Sequence, residues 1–223
     1  EHRATLSDYR GSGYDRGHMA PNADMPNKAA QFDSFSLANM VPQAPKNNQQ
    51  VWRELEEATR ALVTKQKLDV FVVTGPVFQG KKLKTIGQGV IVPSAVYKAV
   101  YMPKTGAIGA YYAPNDNSQQ VRIVSVCYLE EQLGVNLFPQ LTEEQKRNTY
   151  KLPLTATAVK ANSAIQYSHW DAESQCAEEV SSEQLKALQK NFKSGSTQSS
   201  SGSTVKTGTG IDAADQDAIV KQL

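Results

Sequence analysis

Residues 2–21 read HRATLSDYRGSGYDRGHMAP, and this stretch sets the fold that the sequence predicts. A glycine-containing turn at residues 11–13 precedes Asp15, Arg16 and His18, and a proline soon afterwards breaks any regular element. A histidine flanked by charged residues and bounded by glycine and proline is poorly suited to fill a core. We therefore expect His18 to be a functional residue.

The next polar segment, NNQQVWRELE, occupies residues 47–56. Asn48, Trp52, Glu56 and Arg60 are spaced by four residues, so they follow one slowly drifting face of a predicted helix. Taken alone, Asn48 is typical of a helix N-cap, and Glu56 with Arg60 is typical of an ion pair worth about 0.2–0.5 kcal/mol. Taken together with the histidine motif, these residues favour hydrolysis of a phosphodiester.

Phosphodiester hydrolysis needs a base and a cation for the developing charge. Mg²⁺ keeps most of its waters, so the carbonyl of Asn48 with the carboxylate of Glu56 nearby would suffice to hold it. His18, as a neutral imidazole, would take a proton from the attacking water, and Arg16 or Arg60 would neutralise charge on the phosphorus. Acidic residues are too few in this segment for a two-metal site, so we predict a single metal.

Three strings carry a resemblance to a known family. These strings are the one quoted above for residues 2–21, FSLANMVPQ at residues 35–43 and NNQQVWRELE at residues 47–56. In order and spacing they resemble the DNA/RNA non-specific endonucleases with the DRGH motif. That family includes Serratia-type nucleases and mitochondrial endonuclease G-like enzymes. The resemblance is strong over residues 1–75 and looser to about residue 128. It implies an α+β fold of the ββα-metal nuclease type, in which two antiparallel strands and a helix form the site.

The resemblance also implies roles for individual residues. His18 would be the general base at a strand end, and Asn48 would be the one protein residue bound directly to Mg²⁺ or Mn²⁺. The match further implies that catalysis involves Glu56 for metal-bound waters, Arg16 for a phosphate contact, Asn39 for support of its neighbours, Arg60 for transition-state charge and Asp15 for orientation. Family members cut DNA and RNA with little sequence preference and leave 5′-phosphates.

The distribution of charge bears on nucleic-acid binding. The net charge is only +2, but residues 61–125 carry eight basic and two acidic side chains, with Lys81, Lys82 and Lys84 close together. This cluster is typical of a solvated loop, and it also fits a contact with the phosphate backbone of a substrate. We expect double- and single-stranded DNA and RNA as partners, bound through phosphates. The resemblance implies a homodimer as a further partner, and an inhibitor protein is another, since it could protect a cell's own genome from a non-specific nuclease.

Hydrophobic periodicity predicts mixed secondary structure within residues 1–193. Val51, Leu55, Ala58 and Leu62 recur at helical spacing and predict a helix. Strands that follow one another without helices favour a mostly antiparallel central sheet flanked by helices. The predicted strands span residues 69–75, 88–93, 95–101 and 122–128, and two later helices span residues 141–148 and 182–192.

The C-terminal part of the chain differs in composition. We assign residues 1–193 to an endonuclease domain and residues 194–210, of which 14 of 17 are Gly, Ser or Thr, to a flexible linker. Residues 211–223 have too few apolar side chains to fold alone, and their sequence reveals no role. Relatives carry a segment upstream of HRAT, which this sequence either lacks or has had trimmed. If the segment is missing, we expect an exposed sheet edge and a loss of stability and activity.

Composition also bears on the compartment. Hydrophobic residues make up 39% of the chain, and no apolar run approaches the roughly 20 residues that cross a bilayer, so we expect no membrane partner. Cys127 and Cys176 fit one disulfide and two free thiols equally well. We expect a secreted or periplasmic bacterial enzyme, because a non-specific nuclease endangers a cytoplasmic genome. A mitochondrial location is the alternative.

Two rival interpretations are open. A catalytically inactive relative would bind nucleic acid or a partner protein, and the missing upstream segment is the one feature in its favour, since His18, Asn48 and Glu56 are intact. An HNH-type enzyme would need a second histidine near Asn48, and His169 would have to reach that position through the fold. We expect His169 to be a surface or packing residue instead.

Overall fold

A four-stranded antiparallel sheet forms the centre of the molecule in the computed structural model, which describes residues 3–178. Within this range the α-helices are α1 (Leu6–Tyr9), α2 (Lys28–Asp33), α3 (Arg53–Gln66), α4 (Val126–Leu133) and α5 (Glu143–Arg147). The strands are β1 (Asp15–His18), β2 (Met40–Gln43), β3 (Phe71–Val77), β4 (Thr85–Ile86), β5 (Val90–Ile91), β6 (Ala95–Met102), β7 (Ala107–Pro114), β8 (Arg122–Val124), β9 (Asn148–Tyr150) and β10 (Tyr167–Trp170). The central sheet has the order β3–β6–β7–β8, and all its pairs are antiparallel.

Helices cover both faces of this sheet. Alternate residues of β6 point to opposite faces, so Val96 and Val100 join a core cluster with Leu55 of α3, whereas Ala99 joins a second cluster with Leu129 of α4. Each fully buried side chain of this size contributes roughly 1.5–3 kcal/mol. The predicted arrangement, a mostly antiparallel sheet flanked by helices, is confirmed.

A separate hairpin-like pair precedes α3. Strands β1 and β2 are antiparallel, with Asp15 opposite Gln43 and His18 opposite Met40. The chain then enters a π-helical turn, Asn47–Trp52, which continues directly into α3. The two strands and the helix form the ββα unit that the resemblance implies.

One asparagine fastens the ββα unit to the central sheet. The buried Asn115, just after β7, accepts a hydrogen bond from the Ala44 amide at 2.8 Å through its Oδ1. Its Nδ2 donates to the carbonyls of Pro42 at 2.8 Å and Pro93 at 2.9 Å. Because these bonds reach the end of β2 directly, the strand pair is held in place relative to the sheet.

Several predicted elements agree with the structure in place and type. The helix predicted from Val51 to Leu62 is α3, the strand predicted at 95–101 is β6, and the helix at 141–148 is α5, capped by Thr142. The strand at 69–75 is realised as β3, although it lies at an edge of the sheet, where Phe71 is half exposed.

Other predicted elements were wrong or incomplete. The strand predicted at 122–128 ends at Val124, because the Ser125 hydroxyl accepts a hydrogen bond from the Tyr128 amide at 2.9 Å and begins α4. The strand predicted at 88–93 shrinks to the two residues of β5. Strand β7, which pairs with β6 along its whole length, was not predicted.

Two further observations concern the whole described range. Cys127 and Cys176 form a disulfide, which resolves the alternatives that the sequence left open. Between residues 3 and 178, no helix has both the length and the apolar character that spanning a membrane would require. The helix predicted at 182–192, the domain boundary at 193, the linker and the tail lie outside the described residues.

Candidate active site

An open pocket of about 600 Å³ lies against the ββα unit. Four residues predicted from the sequence line it together, namely Asp15, Arg16, His18 and Asn48. Residues from the segments around this motif complete the lining, among them Tyr9, Arg10, Tyr14, Phe35 and Gln49.

The alternation of strand β1 determines what faces the pocket. Arg16 and His18 are two residues apart and so share one face of the strand, whereas Gly17 lies against Gln43. A Cβ on Gly17 would lie 2.6 Å from the Cβ of Gln43, inside van der Waals contact. The glycine of the DRGH motif is therefore required by the close packing of the strand on Gln43.

His18 has the properties of a proton acceptor. Its ring is half buried and meets the ring of Phe35 edge to face, with 4.8 Å between the centroids. The buried Nε2 atom has no hydrogen-bond partner in residues 3–178. Burial lowers the pKa of His18 below its usual value of 6.5, and the charge of Arg16 lowers it further. The imidazole is thus neutral at neutral pH and keeps a nitrogen available.

Asp15 sets the orientation of Asn48. The carboxylate Oδ2 of Asp15 accepts hydrogen bonds from Asn48 Nδ2 at 3.0 Å and from Gln49 Nε2 at 2.8 Å. An ionised carboxylate only accepts, so it fixes the amide group of Asn48 with the nitrogen toward Asp15 and the carbonyl oxygen away from it. That oxygen has no hydrogen-bond donor in the described part of the chain.

The neighbouring Asn47 makes its side-chain hydrogen bonds within the fold rather than facing the pocket. It is fully buried, its Oδ1 accepts a hydrogen bond from Gln43 Nε2, and its Nδ2 donates to the Pro114 carbonyl at 3.1 Å. Both ends of its amide are therefore occupied by the fold. Of the two consecutive asparagines, only Asn48 offers a ligand oxygen to the pocket.

Asn39 supports the loop that follows His18. It is buried, its Oδ1 accepts from the Ala20 amide at 2.9 Å, and its Nδ2 donates to the carbonyls of Ala20 at 2.9 Å and Ser34 at 3.0 Å. Its own carbonyl accepts from the Met19 amide at 2.9 Å. Asn39 thus holds the backbone directly after the histidine.

Glu56 and Arg60 do not line the pocket and lie in a second polar group on α3. Arg60 Nη1 is 2.9 Å from Asp24 Oδ1, an ion pair that anchors the loop after β1 to the helix. Burial raises the pKa of the Glu56 carboxyl to about 7, against the opposing charge of Lys98. The sequence predicted that Asn48 and Arg60 lie along one face of a regular α-helix. This is wrong for the turn that contains Asn48, because residues Asn47–Trp52 form a π-helix, which does not advance by 100° per residue.

Lys98 was missed by the sequence analysis. It is 1% exposed in β6, its Nζ donates to Thr74 Oγ1 at 3.0 Å, and it lies 5.4 Å from the centre of the Trp52 ring. Burial lowers its pKa, and the charge of Glu56 acts in the opposite direction. A single lysine inside the apolar string AVYKAVYM is the signal that could have identified it, because a buried lysine needs partners.

The remaining predicted site residues are exposed. Lys81, Lys82 and Lys84 lie in the loop between β3 and β4, outside the pocket lining. His169 lies on β10, is exposed and does not line the pocket. No group of three or more His, Cys, Asp or Glu residues that could hold a metal occurs between residues 3 and 178.

Comparisons with known proteins agree with this geometry. The model of the family described as DNA/RNA non-specific endonuclease matches residues 1–144. Mitochondrial endonuclease G of Homo sapiens is 40% identical over 128 residues, which cover 51% of this chain and 43% of that protein. Mitochondrial nuclease EXOG of Danio rerio is 38% identical over 159 residues, covering 62% and 46%. A nuclease of Nostoc sp. is 36% identical over 157 residues, covering 63% and 56%. The chain spans about half the length of the curated relatives it matches.

A solved structure shares the fold. A chain in the crystal structure of the EndoG/EndoGI complex, which addresses the mechanism of EndoG inhibition, matches with a TM-score of 0.56 and 28% sequence identity. The match covers 64% of this chain and 66% of that chain. The predicted α+β fold of the ββα-metal type is confirmed.

Proposed function

Because this chain belongs to the DNA/RNA non-specific endonuclease family, we propose that it is a metal-dependent endonuclease that hydrolyses phosphodiester bonds of DNA and RNA to 5′-phosphate products. One observation carries the proposal: a neutral histidine with an unpartnered Nε2 shares a pocket with Arg16 and with the free carbonyl of Asn48. A base, a cation and a hard oxygen ligand are the groups that this hydrolysis requires.

The protein residues divide the work of the reaction. His18 takes the proton from the attacking water, because its imidazole is neutral at neutral pH. Arg16 shares the strand face of His18, is exposed, and contacts the non-bridging oxygens of the phosphate. Asp15 orients Asn48 through its carboxylate, and Asn39 holds the backbone beyond the histidine.

The pocket offers one hard oxygen ligand for a divalent cation, the carbonyl of Asn48, which would hold the ion directly. Glu56 lies on α3 outside the pocket lining, and its ionised carboxylate would hold the ion through metal-bound waters rather than directly. When bound, Mg²⁺ or Mn²⁺ supplies charge stabilisation for the leaving 3′-oxygen. The second arginine, Arg60, lies beside Glu56 on α3 and adds positive charge on that side of the site.

The partners proposed here follow from phosphate chemistry. Double- and single-stranded DNA and RNA bind through phosphates, with the exposed Lys81, Lys82 and Lys84 as an outer contact. An inhibitor protein is a further partner, supported by the similarity to the EndoG/EndoGI complex, in which EndoG is inhibited, and a homodimer rests on the family resemblance alone.

The compartment is proposed from the cysteines. The Cys127–Cys176 disulfide favours an oxidising location, which a secreted or periplasmic enzyme would have. The mitochondrial names of several relatives support a mitochondrial location as the alternative.

Cleavage of plasmid DNA and of RNA with Mg²⁺ or Mn²⁺ tests the function, with EDTA as the metal-free control. We expect metal-dependent cleavage of both substrates, a loss of several orders of magnitude in His18→Ala and a comparable loss in Asn48→Ala. His169→Ala removes an exposed histidine outside the pocket and is expected to cleave as the wild type does. A folded wild type that binds nucleic acid and cleaves none with any divalent metal would replace this proposal with a binding function.

A further inference from the structure

Tyr9, the last residue of α1, is a pocket residue to which the family motif assigns no role. It is 7% exposed and packs with Ile86 and Val92 in a small core cluster. It also lines the pocket that contains Arg16 and His18. Its hydroxyl is buried and has no hydrogen-bond partner within residues 3–178.

A buried hydroxyl without a partner is unusual, because it loses its water without a compensating hydrogen bond. The other residues of the cluster are apolar and make no use of it. A phenylalanine would fill the same space without that cost, so the packing of Tyr9 does not explain its hydroxyl. We therefore expect the partner of this hydroxyl to be a molecule that binds in the pocket.

The surrounding charges indicate the chemistry of that partner. Tyr9, Arg16 and His18 line the same pocket, and the charge of Arg16 acts both on the Tyr9 hydroxyl and on the His18 ring. The Asp8 carboxylate acts on the pKa of Tyr9 in the opposite direction and more weakly than Arg16 does. Burial raises the pKa of Tyr9 to about 12, and the hydroxyl stays a proton donor throughout the neutral range. A neutral donor beside a guanidinium suits an anionic acceptor.

We propose that the Tyr9 hydroxyl donates a hydrogen bond to a non-bridging oxygen of the bound phosphodiester, beside Arg16. This inference rests on the proposed nuclease function and adds a substrate-binding residue to its site. Phosphate oxygens only accept, which matches the one proton that the hydroxyl offers. Tyr9 thereby links the segment before the DRGH strand to substrate recognition.

Tyr9→Phe removes the hydroxyl and keeps the ring, so it separates recognition from packing. We expect kcat/KM on oligonucleotides to fall by about 10- to 100-fold, the range for a hydrogen bond to a charged group. Because the free protein loses no hydrogen bond, the melting temperature should stay the same or rise. Tyr97→Phe removes the hydroxyl of another buried tyrosine, in the core cluster on the α4 side of the sheet, and should leave kcat/KM unchanged.

Two results would overturn the inference: an unchanged kcat/KM in Tyr9→Phe, or a loss of activity that tracks a lower melting temperature. If the wild type cleaves no substrate, the proposed function fails, and oligonucleotide affinity measured in EDTA decides the inference separately. Weaker binding by Tyr9→Phe then supports a phosphate contact, and equal binding contradicts it.

Discussion

At the scale of single residues, the positive charge of Arg16 helps to lower the pKa of His18. The pKa of His18 is lowered by burial and by Arg16, and the general base works only while it is neutral. The acid limb of the kcat/KM profile should therefore lie below pH 6.5. Arg16→Gln removes a positive charge, makes protonation of His18 easier and should move this limb to higher pH, in addition to weakening phosphate binding.

Arg10 provides the matched control for this shift. It lines the same pocket, but its charge is not among those that act on His18. Arg10→Gln should leave the acid limb where the wild type has it. An acid limb that does not move in Arg16→Gln, measured on a small phosphodiester to avoid effects of binding, would contradict the coupling.

The structure brings together part of the set that motif spacing predicted. The pairing of the DRGH strand with β2 and the hydrogen bond from Asn48 to Asp15 put Asp15, Arg16, His18 and Asn48 in one pocket lining. Lys98 and Tyr9 were not predicted as site residues. Lys98 stands out because it is buried, and Tyr9 because its buried hydroxyl has no hydrogen-bond partner, and both properties arise only when the chain folds.

At the scale of elements, local signals competed with tertiary packing. Residues 122–128 contain β-branched side chains typical of a strand, yet the cap formed by Ser125 begins α4 after three strand residues. Strand β7, AIGAYYAP, contains glycine and three alanines, which have low strand propensity. Its position between β6 and β8 buries it and overrides that propensity.

A buried ion pair joins α4 to α5 and makes a testable element-scale contribution. Lys146 Nζ lies 3.1 Å from Glu130 Oε1, with the two side chains 2% and 0% exposed. Lys146→Met would leave an uncompensated buried carboxylate, so we expect the free energy of unfolding to fall by about 3–5 kcal/mol in urea denaturation. Adding Glu130→Gln should recover part of this loss.

An exposed ion pair of the same kind is the control. Arg53 and Glu57 on α3 are 3.8 Å apart, with the two side chains 66% and 48% exposed. Arg53→Met should change the free energy of unfolding by less than about 1 kcal/mol, because exposed pairs are solvated. Equal losses in Lys146→Met and Arg53→Met would show that burial does not determine the effect.

At the scale of the whole molecule, a cluster of exposed lysines, Lys81, Lys82 and Lys84, lies in the loop between β3 and β4, outside the pocket lining. Replacing Lys81, Lys82 and Lys84 together by Gln should weaken oligonucleotide binding and reduce the slope of log affinity against log salt by up to about 2–3 if all three contact phosphates. The exposed Lys104, in the turn between β6 and β7, supplies the control as Lys104→Gln. If the slope of log affinity against log salt is unchanged in the triple variant, the three lysines do not contact phosphates and belong to a solvated loop.

Glu56 connects the proposed site to the stability of the entire fold. Burial raises the pKa of its carboxyl, and the charges of Lys98, Asp24 and Arg60 also act on it, so ionising Glu56 changes the free energy of unfolding. Its folded pKa of about 7 lies above the ordinary value of 4.5, so the folded protein binds more protons than the unfolded chain between these values. The free energy of unfolding of the wild type should therefore decrease as pH rises from about 4.5 to about 7.

Glu56→Gln removes this titration and should be more stable than the wild type by about 3 kcal/mol at pH 8, with no such gain below pH 4.5. The same variant should lose nuclease activity, because an amide holds metal-bound waters less strongly than a carboxylate does. Urea denaturation across pH in EDTA measures the difference in the free energy of unfolding between Glu56→Gln and the wild type in the absence of metal. Glu54→Gln, an exposed neighbour in the first turn of α3, should show neither change. A pH-independent difference between Glu56→Gln and the wild type would mean that the Glu56 carboxyl has the same pKa in the folded and unfolded states, so that the charge of Lys98 offsets the effect of burial.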